Sequence, residues 1–436
     1  MEHRRPSGKD NTKMEKVILV GHQLKKRIQP EAVSLDELER LADTAGAQTV
    51  KTYFIKLAKY VPSTLIGSGK ASEIAQVAQE ENVSTVIFDE ELSPAQQRNL
   101  EKIIPSKVID RTRLILDIFA QRANTREGEL QVELAQSVYM LPRLSGAGIS
   151  MMQQKGGIGT RGPGERKLEY DRRRIRDKIV RLKKEINVIR KERQLRRKRR
   201  ETIPLARIAI VGYTNAGKST LLNTLATRST SLRAGSVEKV YTDDKLFATL
   251  DPTTRKVKLG SGARILFTDT VGFIQKLPHT LVAAFRATLE EIALTDCILH
   301  VQDISSDLID VHRKTVTETL KELDADKIPS MEVFNKTDLI SAYKLQKFKK
   351  LYPSAVFISA LDKKGIASLL KKVQKVLLKK FKSRKLTLDY QNYALISKEI
   401  YSSCMVTKLT HKKNGKTEIN FMATDGRWNK ILSEMQ

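Results

Sequence analysis

The sequence predicts an α/β protein built from several domains, and three observations support this class. Strand and helix patterns alternate along residues 15–110 and again along 204–382, as in parallel sheets covered by helices. A long charged helix is predicted between these two stretches. The chain has 436 residues, more than one hydrophobic core usually holds, so we expect about two to four domains.

The composition indicates a globular protein with a polyanionic partner. Hydrophobic residues make up 40% and charged residues 30%, and no run of 18 apolar residues predicts a transmembrane helix. The first residues lack the apolar core of a secretory signal, and Cys297 and Cys404 match no metal-binding spacing, so we expect a cytoplasmic protein. The net charge of +29 favours nucleic acid or an anionic membrane surface as partner.

The first stretch is predicted to form an N-terminal α/β unit after a disordered start. Residues 1–14 are polar, and the unit spans 15–110, with Ser34 and Glu37 as a capping box at the start of its first helix. A glycine turn precedes the second helix. Its G-x-G-K pattern is a second candidate nucleotide site, although a tight turn explains it equally well; the residues are Gly67, Gly69 and Lys70.

Residues 111–203 are predicted to form a long antiparallel helical hairpin with a basic, glycine-rich loop. A thin apolar seam pairs a helix at 127–141 with a long helix at 165–200, and it is too narrow for a membrane-surface helix. Seven glycines lie in 146–164, and residues 161–200 carry 19 basic and 6 acidic residues. Glycine and positive charge suit an RNA backbone, whereas a merely solvated helix face is the alternative. The candidate contacts are Arg161, Arg166, Lys167, Arg172, Arg173 and Arg174.

A P-loop opens the second α/β stretch. Residues 212–219 read Gly-Tyr-Thr-Asn-Ala-Gly-Lys-Ser, between a predicted strand and a helix, and fit G-x-x-x-x-G-K-[ST]. The glycines let backbone N–H groups face a phosphate, Lys218 would reach the β/γ-phosphates, and Ser219 would hold Mg²⁺. The predicted phosphate-site residues are Gly212, Asn215, Ala216, Gly217, Lys218, Ser219 and Thr220.

Two motifs after the P-loop predict metal binding and a guanine base. Asp269 and Gly272 form a D-x-x-G after a strand, so Asp269 would hold Mg²⁺ and the Gly272 N–H would sense the γ-phosphate. Residues 335–338 form an N-K-x-D. The carboxylate of Asp338 would accept the guanine N1–H and N2 amine, a donor pair that adenine lacks.

The remaining guanine-site residues complete a P-loop GTPase domain over 204–382. Asn335 would tie its loop to the P-loop, the stem of Lys336 would cover the base, and the Ala360 N–H would bind guanine O6; the third motif is Ser359, Ala360 and Leu361. Four motifs in this order, each at the carboxyl end of a predicted strand, predict GTP and GDP as ligands.

The switch regions leave two questions open. Thr249, Thr253 and Thr254 are all candidates for the switch I threonine. Phe273 follows the D-x-x-G where many GTPases have a water-positioning glutamine, so intrinsic hydrolysis should be slow and completed by a partner such as the ribosome or by a monovalent cation. Asn215 is the candidate K⁺ ligand.

The chain resembles HflX-type GTPases, a branch of the translation-factor-like class. The stretches that carry the resemblance are 65–70, 88–96, 110–119, 131–136, 161–165 and 171–175, and, in the GTPase domain, 247–255 and 269–274. The flanking stretches are specific, because a general GTPase would not carry them. Two parts depart from the family pattern: Arg166 and Lys167 follow Glu165, and the small C-terminal α/β domain at 383–436 matches only loosely.

The resemblance implies a ribosome-associated GTPase, acting as a monomer, that binds the large ribosomal subunit and its RNA and splits stalled or idle ribosomes. It favours Thr249 as the switch I threonine, so the implied catalytic set is Lys218, Thr249 and Gly272. The alternatives are a large-subunit assembly GTPase and a basic RNA-binding protein that uses the GTPase fold as a scaffold.

Overall fold

The computed structural model describes residues 14–24, 32–146, 163–200, 206–230, 246–247, 251–259, 264–276, 292–378, 382–412, 415–423 and 425–435. The chain divides into two compact units. The first contains Met1–Gln121 and Val132–Leu182, and the second contains Arg122–Gln131 and Lys183–Gln436. The finer division into domains at 1–14, 15–110, 111–203, 204–382 and 383–436 stays a prediction.

The first unit contains a four-stranded parallel sheet of order β2-β1-β3-β4. Its central strands are apolar and buried, as a parallel sheet covered by helices requires. The predicted α/β alternation is confirmed. The elements are β1 (Glu15–Leu24), α1 (Ala32–Thr44), β2 (Ala47–Leu57), α2 (Ser68–Glu80), β3 (Thr85–Phe88), α3 (Pro94–Ile103) and β4 (Lys107–Asp110).

The predicted start of the first helix is wrong. Helix α1 begins at Ala32, so Ser34 lies inside the helix and cannot be its N-cap. Glu37 instead accepts a hydrogen bond from the buried Arg111, with 2.5 Å between the two side chains. The Glu37 carboxylate, which was expected in the capping box, therefore forms a long-range ion pair that the local sequence pattern does not indicate.

Buried charges fix the junction between β4 and the next helix, α4 (Arg111–Arg122). Arg111 is 2% exposed and donates to Asp89 at 2.8 Å as well as to Glu37. The neighbouring Asp110 is fully buried, and its carboxylate accepts the Tyr139 hydroxyl at 2.9 Å. Charges at this depth are stable only when each is paired, so the network holds the strand end and helix start in one arrangement.

Two further helices, α5 (Arg126–Met140) and α6 (Pro163–Arg200), form the predicted antiparallel hairpin. Lys178 pairs with Glu133 at 2.8 Å, and Arg126 pairs with Glu185 at 3.2 Å. Glu133 therefore faces an earlier residue of α6 than Arg126 does, which means that the two helices run antiparallel. Ile179 and Leu182 are buried on the seam of α6.

The second unit contains a six-stranded sheet of order β10-β9-β8-β5-β7-β6; of these described strands, β6 is antiparallel to its neighbour and the other pairs are parallel. The carboxyl ends of its parallel strands therefore share one edge. The elements are β5 (Ala206–Gly212), α7 (Lys218–Thr230), β6 (Thr253–Lys258), β7 (Arg264–Asp269), β8 (Cys297–Asp303), α8 (Ile309–Glu322), β9 (Ser330–Asn335), α9 (Ala342–Leu351), β10 (Val356–Phe357) and α10 (Ile366–Leu378).

The C-terminal part is the small α/β arrangement that the sequence predicts. Its antiparallel sheet has the order β11-β13-β12. Ile396, Phe421 and Ile431 form its core, and the ring of Phe421 packs against that of Trp428 at 6.1 Å. The elements are β11 (Lys382–Leu388), α11 (Tyr390–Ser403), β12 (Met405–His411), β13 (Thr417–Ala423) and α12 (Asp425–Glu434).

Candidate nucleotide-binding site

The P-loop connects the buried strand β5 to α7, as its sequence predicts. A side chain at Gly212 would begin 2.1 Å from the Val301 carbonyl oxygen, so only glycine allows this close approach between strands. Gly217 has φ +85, a left-handed conformation, and a Cβ there would lie 2.2 Å from the side chain of Asn335. Asn215 is left-handed and exposed between them. The loop conformation therefore depends on both glycines.

Lys218 begins α7 and is buried against the loop. Its ammonium donates to the Tyr213 carbonyl at 2.8 Å. Burial lowers the pKa of Lys218 to about 8, and the charge of Asp269 opposes this shift in part. A bound polyphosphate would add negative charge beside the buried ammonium, so this position favours an anionic ligand.

Ser219 and Asp269 bring together the oxygen ligands that a small divalent cation prefers. The Ser219 hydroxyl donates to the Asp269 carboxylate at 2.6 Å, and that carboxylate ends β7 fully buried. Hydroxyl and carboxylate oxygens, with phosphate and water, match the chemistry of Mg²⁺. The residues present therefore fit the cation that the motifs predict.

The D-x-x-G segment pairs with the P-loop through its backbone. The Thr214 N–H donates to the Phe273 carbonyl at 2.8 Å, and the Phe273 N–H donates to the Gly212 carbonyl at 3.2 Å. Gly272 lies between these contacts. A Cβ there would lie 2.7 Å from the Thr214 methyl carbon and 3.1 Å from the Lys218 nitrogen. The structure thus brings Gly272 directly to the P-loop lysine.

Asn335 joins three loops of the site with one buried amide. Its nitrogen donates to the Ala216 carbonyl at 2.9 Å, and its oxygen accepts the Ala360 N–H at 2.9 Å. The Thr224 hydroxyl donates to the Ala360 carbonyl at 2.9 Å. The phosphate loop and the two base-side loops therefore share one set of buried hydrogen bonds.

The other base-side residues line the same edge of the sheet. Lys336 has φ 63, and its ammonium lies 2.8 Å from the carboxylate of Asp303 at the end of β8. Asp338 is exposed in the short 3-10 turn Thr337–Leu339. The Ser359 hydroxyl is buried and accepts the Asp362 N–H at 3.0 Å, while Leu361 is 74% exposed.

The structure therefore brings most of the predicted nucleotide-site residues to one edge. Thr249 lies outside the described residues. Thr253 and Thr254 lie in β6, where Thr253 is opposite Asp269 and the Thr254 hydroxyl contacts that of Thr268 at 2.9 Å. The residues at this edge are Gly212, Asn215, Ala216, Gly217, Lys218, Ser219, Thr220, Asp269, Gly272, Asn335, Lys336, Asp338, Ser359, Ala360 and Leu361.

The candidate residues outside this site belong to the first unit. Gly67 is the N-cap of α2 with φ +83, Gly69 lies in the first helical turn, and Lys70 pairs with Glu73 at 2.5 Å. The second nucleotide site stays a prediction. Of the RNA candidates, Arg161 lies outside the described residues, Arg166, Lys167 and Arg172 lie in α6, and Arg173 and Arg174 are exposed on it.

Three side chains at or beside the site were missed. Asp303 positions Lys336, and the ring of Tyr213 stacks on that of His312 with 3.8 Å between centroids. Asp251 hydrogen-bonds the chain before α5. An acidic residue that ends a buried strand between the D-x-x-G and the N-K-x-D was the available signal for Asp303. The other two contacts have no local signature.

Comparisons with known proteins agree with this geometry. Family models match residues 32–120 (GTP-binding GTPase N-terminal), 122–200 (GTP-binding GTPase Middle Region) and 207–336 (50S ribosome-binding GTPase). GTPase HflX of Alkalihalophilus pseudofirmus is 45% identical over 84% of this chain and 83% of that protein. GTPase HflX of Escherichia coli is 43% identical over 77% of each.

Solved structures show a distant likeness. A GTP-binding protein from Sulfolobus solfataricus in complex with GDP is 23% identical, covers 84% of this chain and 99% of its own, and has a TM-score of 0.42. Across the ranges that the structure describes, none of the helices combines the length and apolar character needed to cross a bilayer. The chain carries a GTPase domain, is itself a GTPase, and belongs to the HflX family of GTPases.

Proposed function

We propose that this protein is a GTP-driven switch that binds the large ribosomal subunit in the cytoplasm and dissociates stalled or idle ribosomes. The observation that carries the proposal is the presence, in one HflX-family chain, of a guanine-nucleotide site and the strongly basic helix α6. GTP would favour the ribosome-bound form, and hydrolysis to GDP would release a monomeric protein.

Guanine selection is assigned to the edge organised by Asn335. Asp338 is exposed there, so that its carboxylate can accept the guanine N1–H and N2 amine, and the Ala360 N–H lies on the same network. The stem of Lys336 would cover the base while its ammonium stays with Asp303. Adenine would leave the Asp338 carboxylate without donors, which costs binding free energy.

Phosphate binding and hydrolysis are assigned to the P-loop and the two switches. Lys218 would neutralise the β/γ-phosphates, and Gly272 would offer its backbone N–H to the γ-phosphate beside that lysine. Ser219 and Asp269 would hold Mg²⁺ together with Thr249, and the bound cation would neutralise charge on the phosphate oxygens. Catalysis would then consist mainly of positioning and charge stabilisation.

Hydrolysis is expected to be slow without a partner. Phe273, where other GTPases have glutamine, is buried and bonded to the P-loop through its backbone, so its side chain can neither orient nor activate a water molecule. The ribosome would supply the missing stimulation. K⁺ held by the exposed Asn215 would add to it.

Helix α6 is the proposed RNA-binding element. Helix α6 exposes basic side chains over several turns, and these include Arg173, Arg174, Arg176, Lys183, Lys184 and Lys191. A row of such charges binds the phosphates of RNA and releases counterions, so the affinity for the ribosome should fall steeply with increasing salt concentration.

The turn at Gly67, Gly69 and Lys70 stays a second candidate nucleotide site.

Sedimentation of purified ribosomes tests the proposal. With the protein and a non-hydrolysable GTP analogue, a sucrose gradient should show separated subunits, with the protein on the large one. Lys218→Ala should abolish this effect because it removes the phosphate-binding charge, whereas Lys314→Ala, an exposed lysine of α8, should retain it.

Other outcomes discriminate the alternatives. Intact ribosomes in every reaction would refute splitting, and binding only to immature large subunits would identify an assembly GTPase. Equal binding by Lys218→Ala would show that the GTPase fold is only a scaffold.

A further inference from the structure

Asp251 lies just before β6, and its carboxylate binds the chain immediately before helix α5. It accepts the backbone N–H groups of Asn124 and Thr125, both at 3.1 Å. It also accepts the Thr125 hydroxyl at 2.6 Å. These three residues belong to the second compact unit. A single carboxylate therefore takes three hydrogen bonds from a segment about 126 residues away in sequence.

The contact forms the N-terminus of α5. The Thr125 hydroxyl accepts the Gly128 N–H at 3.0 Å, while the Thr125 carbonyl accepts the Glu129 N–H at 2.9 Å, so Thr125 is the N-cap. Because Asp251 accepts the hydrogen bond that the Thr125 hydroxyl donates, it orients this cap. Its negative charge also lies at the positive end of the helix dipole.

Glycine at position 128 permits the approach of Asp251. A Cβ on Gly128 would lie 2.7 Å from the nearer carboxylate oxygen of Asp251, which is closer than real side chains come. A glycine in the first turn of a helix reduces helix stability relative to alanine. The presence of glycine is therefore explained by the close contact rather than by the helix itself.

The other end of the same short segment reaches the nucleotide site. Thr253, two residues after Asp251, lies opposite Asp269 in the β6–β7 ladder. Asp269 is the carboxylate bonded to Ser219 of the P-loop. Asp251 is separated from Thr253 by one residue. A displacement of the chain beside Asp269 would therefore also move Asp251.

We propose that Asp251 couples the nucleotide state of the GTPase site to helix α5, by holding the cap of α5 more firmly with one nucleotide than with the other. This inference rests on the proposed GTP switch and specifies which part of the protein responds to the nucleotide, namely the N-terminus of α5. Arg126, the first residue of α5, forms an ion pair with Glu185 of α6, and both residues belong to the second unit. A change at the start of α5 would therefore also act on the basic helix α6. Because coupling is reciprocal, a ligand that fixes α5 and α6 would in turn bias the nucleotide site.

Hydrogen–deuterium exchange on the full-length protein tests the coupling. Exchange of the amides of residues 124–129 is compared with GDP and with a non-hydrolysable GTP analogue. The wild-type protein should show a difference of at least about threefold between the two nucleotides. Asp251→Ala should raise exchange in this segment about tenfold, because hydrogen bonds to a charged group are lost, and should remove the difference between nucleotides.

Two further variants keep the result interpretable. Thr125→Val removes the cap hydroxyl and should reproduce Asp251→Ala if the latter folds poorly, whereas Thr125→Ser should behave as wild type. Glu129→Ala is the matched control, because it removes an exposed carboxylate from the same helical turn, one that pairs with the exposed Arg126 at 3.6 Å. Glu129→Ala should keep the difference between nucleotides.

Binding of a fluorescent GDP and GTP analogue, measured in parallel, separates the two proposals. If both nucleotides bind and residues 124–129 exchange equally with each, the coupling is refuted and the GTP switch stands. If Asp251→Ala keeps the wild-type difference, as Glu129→Ala does, Asp251 is not the coupling residue. If the wild-type protein binds neither nucleotide, both proposals fail.

Discussion

Replacing Asn335 by alanine should destabilise the GTPase domain and weaken nucleotide binding together. The substitution leaves the Ala216 carbonyl and the Ala360 N–H without the partners that the Asn335 amide provides, both at 2.9 Å. These groups lie in a buried part of the site. A buried polar group left without a hydrogen bond costs about 1–3 kcal/mol, so two such groups predict a loss of about 3 kcal/mol in the free energy of unfolding.

Equilibrium urea unfolding, followed by far-UV circular dichroism, measures this loss for Asn335→Ala. Asn99→Ala is the control, because the Asn99 amide also donates to a backbone carbonyl, that of Ser63 at 3.0 Å, but in an exposed position. Water can replace that partner, so we expect a change below about 0.5 kcal/mol. The m-values must stay equal for the comparison to hold.

Nucleotide affinity provides the second measurement. Since Asn335 connects the phosphate loop to the base-side loops, its loss should weaken GDP binding at least about tenfold, which corresponds to about 1.4 kcal/mol. An Asn335→Ala protein that unfolds at the same urea concentration as Asn99→Ala and binds GDP like the wild type would refute the reasoning. That result would mean that the loops are held by other contacts.

Three further predictions concern the same site. Gly272→Ala should lower the rate of phosphate release at least about tenfold, because the new methyl group would meet the P-loop beside Lys218; a wild-type rate would contradict the packing described. The pKa of Lys218 is lowered to about 8 from 10.5, so GTP affinity should fall as the pH rises above 8 and the binding ammonium is lost, by up to about tenfold per pH unit. A flat affinity between pH 7 and 9 in a fluorescence titration would oppose that assignment. Hydrolysis should be severalfold faster in KCl than in NaCl and lose this difference in Asn215→Ala, whereas equal rates in the two salts would remove K⁺ from the proposal.

Local sequence pattern predicted those parts of the molecule in which a motif and its structural context lie in one short segment. The P-loop between β5 and α7 and the D-x-x-G after β7 are of this kind. Each needs a buried strand, a glycine and a polar residue within a few positions, and each occurs at the carboxyl end of its strand.

Contacts between distant segments were beyond the reach of the same reasoning. Glu37 had the spacing of a capping box, yet its carboxylate pairs with Arg111, 74 residues away. Asp251 lies in the stretch 247–255 that carries the family resemblance, but nothing in that pattern indicates its partners, which are about 126 residues away. The partner of a side chain is decided by the tertiary fold, so a local propensity worth about 1 kcal/mol is readily overridden by a buried ion pair.

The position of β6 at the edge of the six-stranded sheet has a mechanical consequence. Among the strands that the structure describes, β6 is hydrogen-bonded on one side only, so displacing it breaks its ladder with β7 and no other described ladder. Opening of such a segment costs less free energy than opening of an interior strand, which would disturb two ladders. Residues 251–253 connect the Asp251 contact to the strand beside Asp269. This segment therefore lies at a place where the domain can change shape with little effect on its central strands.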